Sequence, residues 1–177
     1  MKTIRSVLLV AVIASILMGL SLEGRAQTKG SPPVINFSWA QDKIRQGNDW
    51  RIYISATDPD GDMYRIYCRV EQAGGQSYLQ DITNIKKGME GHLAGYLVLR
   101  TYSAQDLFGV SLTLSVIIAD RAGNESKPLL FPLSINGERT KLLPADQVPP
   151  DLAKALDQRI THIGVDLIRR DRMGSGD

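Results

Sequence analysis

The sequence contains a single cysteine, and this scarcity limits how the chain can be stabilised. Cys68 has no second cysteine with which to form a disulfide within the chain. A domain without disulfides depends on its hydrophobic core, even in an oxidising compartment. Cys68 shares an alternating register with Ile66 and Val70, which predicts a buried thiol that packs as a small apolar side chain. A reactive thiol, or one that pairs with another chain, is the alternative.

The motifs of common enzyme and cofactor sites are also missing. His92 and His162 are the only histidines, and their spacing matches no metal-binding motif. The sequence has no Gly-x-Ser-x-Gly elbow, phosphate-binding loop or dinucleotide fingerprint. We therefore predict that the protein is not an enzyme, with no catalytic residues and no organic cofactor.

Without its first 26 residues, the chain has no excess of positive or negative charge. The chain has 21 basic and 19 acidic residues. The first 26 residues hold three of the basic residues and one of the acidic ones, so 18 of each remain. A neutral domain without a basic stripe gives no electrostatic reason to bind nucleic acid. We expect no nucleic-acid partner.

The N-terminus has the pattern of a secretory signal peptide. Basic residues in Met1–Arg5 precede the uncharged apolar run Val7–Leu22, which is 16 residues long. Small residues at Gly24 and Ala26 then predict cleavage before Gln27. The run is shorter than the roughly 18 residues that favour a membrane-spanning helix, although an uncleaved anchor is the alternative. We predict an exported protein, periplasmic or extracellular, whose membrane contact is confined to this segment or to weak binding by its basic tail.

Short segments of alternating apolar and polar residues follow, as is typical of β-strands. The alternation is clearest in 50–56 and 110–118. The expected strands lie at 34–39, 50–56, 63–71, 78–85, 96–102, 110–118 and 128–135. Seven short strands separated by turns predict an all-β fold, a seven-stranded antiparallel β-sandwich.

The C-terminal tail has a different pattern. Pro149, Pro150 and Asp151 are typical of a helix start, and apolar residues follow at helical spacing. The predicted apolar face consists of Leu152, Leu156, Ile160, Ile163 and Leu167. We predict an amphipathic helix, with a short strand over 160–167 as the alternative. Its apolar face either packs on the sandwich or binds an envelope or extracellular protein partner.

These patterns divide the chain into six segments. They are a signal peptide (1–26), a leader (27–33), the sandwich (34–136), a linker (137–149), a C-terminal helix (150–170) and a disordered tail (171–177).

Two acidic turns provide the candidate site. Asp58–Asp62 follows the second expected strand and Asp120–Asn124 follows the sixth, so both turns belong to one pole of an up-and-down sandwich. Closely spaced carboxylates repel one another, and Ca²⁺ accepts six to eight oxygen ligands from flexible loops. The candidate metal ligands are Asp58, Asp60, Asp62, Asp120 and Asn124. The alternative is that these residues serve only as turn formers, for which Asp-Pro-Asp-Gly is well suited.

The same residues carry a family resemblance. The sequence Asp58-Pro59-Asp60-Gly61-Asp62 before a tyrosine-rich strand, together with Ala119–Asn124, resembles the bacterial Ig-like, cadherin-like and fibronectin III-like β-sandwich domains of exported proteins. This resemblance covers about Pro32 to Asn136 and implies an Ig-like sandwich used in adhesion, as a spacer or as an accessory module. Some such domains bind calcium between successive repeats. This chain has one predicted sandwich and lacks the Cys…Trp…Cys arrangement of true immunoglobulin domains.

We therefore expect an exported, non-catalytic binding or structural module that mediates protein–protein interaction at the cell envelope. The alternative is a calcium-dependent adhesion or carbohydrate-binding module that uses the acidic pole. In either case Ca²⁺ is the one cofactor that the sequence suggests.

Overall fold

The computed structural model describes residues 30–74, 76–102, 106–136 and 142–167. The predicted signal peptide (1–26) and disordered tail (171–177) lie outside these residues, as do parts of the leader, linker and C-terminal helix. Within the described residues, no helix is both long and apolar enough to cross a membrane.

The described residues form two β-sheets around one core. In chain order, the strands are β1 (Val34–Ala40), β2 (Lys43–Ile44), β3 (Asp49–Thr57), β4 (Met63–Gln72), β5 (Gln76–Ser77), β6 (Asp81–Asn84), β7 (His92–Arg100), β8 (Val110–Asp120), β9 (Leu129–Ile135) and β10 (Arg159–Ile163). Sheet one has the order β1-β3-β7-β10. Sheet two has the order β2-β9-β8-β4-β5, and β6 also pairs with β4.

This strand order is that of an Ig-like sandwich. Strands β1, β3 and β7 correspond to A, B and E of the immunoglobulin arrangement, and β9, β8 and β4 correspond to G, F and C. The predicted all-β sandwich is confirmed. The prediction of seven strands, all antiparallel, is wrong in detail. The described residues contain ten strands, and two pairs, β2 with β9 and β10 with β7, are parallel.

The core is built from the inward residues of both sheets. In β3, the side chains of Trp50, Ile52 and Ile54 are fully buried, because successive residues of a strand point to opposite faces. The indole N–H of Trp50 donates a hydrogen bond to the carbonyl of Gln41 over 2.7 Å, so its polar atom is satisfied inside the core. Cys68 is also buried, as predicted from its register.

The predicted helix over 150–170 is wrong. The helical segment α1 spans only Pro150–Ala153, and the chain then forms β10. Strand β7 would otherwise leave an edge of unpaired backbone groups, and β10 pairs with that edge in parallel. The β-branched residues Ile160, Thr161 and Ile163 favour a strand at this position. The alternative of a short strand was therefore nearer the structure.

The predicted helical face is dispersed through the fold. Leu152 is fully buried in a small cluster with Ala94 and Ala155 on the outer face of sheet one, and Leu156 packs partly buried against that cluster. The other three residues of the predicted face, Ile160, Ile163 and Leu167, belong to the main core. These side chains pack within their own chain and form no free helical surface for a partner. Because the segment forms a short helix followed by a strand, residues that would share one face of a continuous helix point in different directions.

Candidate cation site at the acidic pole

The two acidic turns lie side by side, as strand counting predicted. The backbone N–H of Arg121 donates a hydrogen bond to the carbonyl of Asp62 over 3.1 Å. Met63, the first residue of β4, is paired with Asp120, the last residue of β8. The two turns thus continue the β4–β8 pairing beyond the ends of the strands, and their side chains share one small region.

The first turn is held by its own hydrogen bonds. The carboxylate of Asp58 accepts a bond from the backbone N–H of Asp60 over 3.0 Å, and the N–H of Gly61 donates to the Asp58 carbonyl over 3.2 Å. Gly61 has a φ of 72°, which glycine adopts without the steric cost of a Cβ. This is ordinary turn chemistry, and it uses one oxygen of Asp58.

The second turn is closed by Asp120 and Asn124. The backbone N–H of Asn124 donates to Oδ1 of Asp120 over 2.7 Å, and its side-chain amide donates to Oδ2 over 2.6 Å. Both residues are buried. The side-chain amide of Asn124 therefore orients the Asp120 carboxylate, and its role as a direct ligand stays a prediction.

Three carboxylates converge between the turns. One oxygen each from Asp58, Asp62 and Asp120 lies within 4.8 Å of the others. Asp58 is only 6% exposed, and its Oδ2 has no hydrogen-bond partner among the described residues. The same is true of Oδ1 of Asp62. A buried carboxylate oxygen without a partner is costly, so this cluster has unmet capacity for a positive ligand.

The pKa of Asp62 also favours a positive ligand in this cluster. Burial raises the pKa of Asp62 above its ordinary value, and the nearby charges of Asp120 and then Asp58 raise it further. Each effect penalises the ionised form of the carboxyl group. A divalent cation would reverse the penalty, because it pairs with all three carboxylates at once.

Asp60 is in a different position from its neighbours in the turn. It is exposed, and its carboxylate accepts a hydrogen bond from the backbone N–H of Ser31 over 2.5 Å. A Cβ added to Gly30 would meet this same carboxylate oxygen at 2.7 Å. Asp60 therefore contacts the segment that enters the sandwich and is not one of the three converging carboxylates. Residue spacing in the turn could not separate it from Asp58 and Asp62.

A cationic side chain beside the pole was not predicted. The guanidinium of Arg121 lies 4.9 Å from the ring centroid of Tyr64, in a cation–π arrangement. The backbone N–H groups of Glu90 and Gly88 lower the pKa of the Glu90 carboxyl group, and the Arg121 charge contributes further. Neither sequence motif nor strand alternation signals this grouping, because it depends on how three loops meet.

A second polar grouping lies on the outer face of sheet one. The hydroxyl of Ser55 donates to the carboxylate of Asp151 over 2.5 Å, and Nε2 of His92 lies 3.3 Å from the same oxygen. The hydrogen bond from Ser55 is the main cause that lowers the pKa of Asp151. In a nucleophilic triad the hydroxyl is paired with the base, whereas here the carboxylate stands between serine and histidine. The arrangement holds the tail on the sheet and does not activate Ser55.

Comparison with known proteins does not assign this chain to a family. No family model matches the chain, and no curated protein matches it. Among solved structures, the chain is similar to the PKD domain of an M14-like peptidase from Thermoplasmatales archaeon SCGC AB-540-F20, with 16% sequence identity and a TM-score of 0.39. The match covers 60% of this chain and 98% of that domain. The fold given above depends on the strand pairing of this chain alone.

Proposed function

We propose that this protein is an exported, non-catalytic binding or structural module whose acidic pole binds Ca²⁺. The observation that carries the metal proposal is the convergence of Asp58, Asp62 and Asp120 with two buried carboxylate oxygens that lack partners. Support for export comes from the N-terminal signal pattern.

The donor set favours calcium over softer metals. The converging ligand atoms are all carboxylate oxygens, whereas zinc and copper sites use imidazole and thiolate ligands. The carboxylates come from two turns, which suits the larger and more adaptable coordination shell of Ca²⁺ better than the strict octahedron of Mg²⁺. Water would supply the remaining ligands.

Calcium bound here would act on the stability of the sandwich. Asp58 and Asp62 belong to the connection between β3 and β4, while Asp120 ends β8. An ion shared by these residues links both sheets at one pole and offsets the repulsion among the carboxylates. A stiffened pole suits a module that presents a surface or spaces other domains at the cell envelope.

The metal proposal is tested by thermal unfolding of the mature chain with CaCl₂ and with EGTA, together with calorimetric titration. Ca²⁺ at a hundred times its Kd stabilises the native state by about 2.7 kcal/mol. For a domain of this size, that free energy corresponds to a rise in Tm of about 5–10 °C. An unchanged Tm, with no binding heat at millimolar Ca²⁺, would refute the proposal.

Two variants locate the ion. Asp120→Asn should abolish the calcium-dependent rise in Tm, because it removes one of the converging charges. Asp60→Asn is the matched control in the same loops, and it should keep the rise. Export is tested separately by sequencing the N-terminus of the protein from the envelope fraction, which should begin at Gln27.

A further inference from the structure

The two sheets differ in what covers their outer faces. On sheet one, α1 contacts β3 and β7, so the tail covers part of this face. The rings of Trp39, Tyr53 and Tyr96 form a row there, with neighbouring ring centroids 6.1 Å and 5.8 Å apart. On sheet two, Leu130 of β9 is 65% exposed. The outer face of sheet two is therefore the more open one.

A cavity of about 270 Å³ lies on the outer face of sheet two. Its lining includes three cross-strand pairs between the inner strands β4 and β8, which are Tyr67 with Ile117, Arg69 with Ser115, and Glu71 with Thr113. Residues directly opposite in antiparallel strands have Cβ atoms about 4.5–5.5 Å apart, so these side chains form a compact grid. Leu130, and Gln80 just before β6, also line the cavity. Paired strands hold such a grid in fixed positions.

The polar side chains of this lining leave their hydrogen-bonding groups unused within the protein. Five of them form no hydrogen bond or salt bridge with any other residue that the structure describes, namely Arg69, Glu71, Gln80, Thr113 and Ser115. Arg69 and Glu71 lie on the same face of β4, yet they do not pair with each other. Because these donors and acceptors surround one cavity, a small ligand can hydrogen-bond to several of them at once.

We propose that this cavity binds one ring of a neutral sugar. The guanidinium of Arg69 only donates hydrogen bonds and the carboxylate of Glu71 only accepts them, whereas a sugar hydroxyl does both. The hydroxyls of Thr113 and Ser115 and the amide of Gln80 also donate and accept. The charges of Arg69 and Glu71 are equal and opposite, so they favour a neutral ligand over an anion or a cation.

The apolar part of the lining suits the C–H face of a sugar ring. Tyr67 and Ile117 are half-buried, whereas Arg69, Glu71 and Gln80 are exposed at the rim. A ring that packs against Tyr67 and Ile117 places its C–H groups on apolar surface and its hydroxyls near the polar rim. Drug-sized ligands occupy pockets of roughly 300–1,000 Å³, so this smaller cavity fits a single ring and not a longer chain.

A protein partner fits this surface less well. The centres of protein interfaces are depleted in charged residues and depend on aromatic anchors that fill pockets. Among the described lining residues, Tyr67 is the one aromatic side chain, and the charged Arg69 and Glu71 stand beside it. None of these lining residues belongs to the acidic pole, so sugar binding is a property separate from calcium binding.

An NMR titration of the ¹⁵N-labelled mature chain tests the proposal. The probes are the methyl glycosides of glucose, galactose, mannose and N-acetylglucosamine, and at least one should shift the amide signals of 67–71 and 113–117 in a saturable way. A single ring has few atoms, so we expect a Kd of about 1 mM. Arg69→Ala and Glu71→Ala should each weaken binding roughly tenfold or more, because hydrogen bonds to charged groups are the stronger ones. Both residues are exposed, so both variants should keep the wild-type Tm.

Arg51→Ala is the matched control, because Arg51 is an exposed arginine in β3 of the other sheet and should not affect the sugar. The amide spectrum of each variant shows directly whether it is folded. The proposal is overturned if none of the four glycosides gives a saturable shift at up to about 100 times the expected Kd. It is also overturned if Arg69→Ala and Arg51→Ala bind equally well, or if the shifts map to Trp39 and Tyr53 on sheet one. Since the titrations are run in EGTA, the result does not depend on whether the acidic pole binds calcium.

Discussion

The backbone N–H of Arg121 donates a hydrogen bond to the carbonyl of Asp62 over 3.1 Å, and so joins two turns that are far apart in the chain. This bond and the β4–β8 pairing fix the backbone of the acidic pole without any ion. The same backbone arrangement brings the carboxylates of Asp58, Asp62 and Asp120 together, where they repel one another. The pole is therefore formed by the fold but carries an electrostatic penalty that a cation would remove.

Replacing Asp62 by asparagine should have opposite effects with and without calcium. In EGTA, Asp62→Asn removes a carboxylate whose pKa is raised by burial and by its neighbours, so the variant should melt at a higher temperature than the wild type. In Ca²⁺, the variant should lose the calcium-dependent rise and melt below the wild type. Differential scanning calorimetry in the two buffers measures both effects. A variant less stable than the wild type in EGTA would contradict the repulsion argued here.

Gly95 should be essential for the docking of β10. Its φ is 146°, and an added Cβ would collide with the carbonyl oxygen of Gln158 and lie 3.1 Å from Cγ1 of Ile160. Gly95→Ala should lower the free energy of unfolding by roughly 2 kcal/mol or more and expose the tail to limited proteolysis. Gly109→Ala is the control, because Gly109 has a φ of 80° with no atom within 4 Å of an added Cβ. It should cost only about 1–2 kcal/mol from the backbone conformation. Equal losses in the two variants would show that contact with β10 is unimportant.

Asp151 should stabilise the tail in a manner that depends on pH. The hydrogen bond from Ser55 lowers the pKa of this carboxyl group, and the charge of His92 contributes. A lowered folded-state pKa adds stability above the ordinary pKa of aspartate, roughly pH 4, which is lost as the pH falls through the folded-state value. Asp151→Asn should therefore destabilise the chain at pH 7 by about 1 kcal/mol, a low value because the side chain is 30% exposed.

Urea denaturation at pH 7 and at pH 3 tests this expectation, and the loss should shrink at the lower pH. Asp157→Asn changes an exposed aspartate of the same tail and should have little effect at either pH. A loss that is the same at both values would mean that the charge of Asp151 does not matter.

Cys68 should react with thiol reagents only when the sandwich unfolds. Burial raises the pKa of its thiol to about 12, so almost none is present as the reactive thiolate at neutral pH. Ellman's reagent should therefore label the native protein very slowly, and the labelled fraction in urea should follow the unfolding curve measured by circular dichroism. Rapid and complete labelling of the native chain would show that β4 opens readily or that Cys68 is accessible.

Part of the candidate site could be predicted from strand counting. The turns at Asp58–Asp62 and Asp120–Asn124 follow strands that run in the same direction, so their position at one pole follows from an up-and-down path. The roles of individual residues could not be predicted in this way. Asp60 differs from Asp58 and Asp62 only in which way its side chain points, and its contact with Ser31 depends on where the entering chain lies.

The sequence by itself determined the alternating strands, the single buried thiol and the two acidic turns, because these depend on local periodicity and on the backbone preferences of Asp, Pro and Gly. Only the tertiary structure decided whether the tail forms a helix or a strand. The spacing of Ile160 and Ile163 fits a helix, but β7 presents an unpaired edge that a strand satisfies, and Gly95 leaves room for it to approach. The tertiary structure also brings three carboxylates together and places the rings of Trp39, Tyr53 and Tyr96 in one row. Both depend on pairing between strands distant in sequence, which no local pattern records.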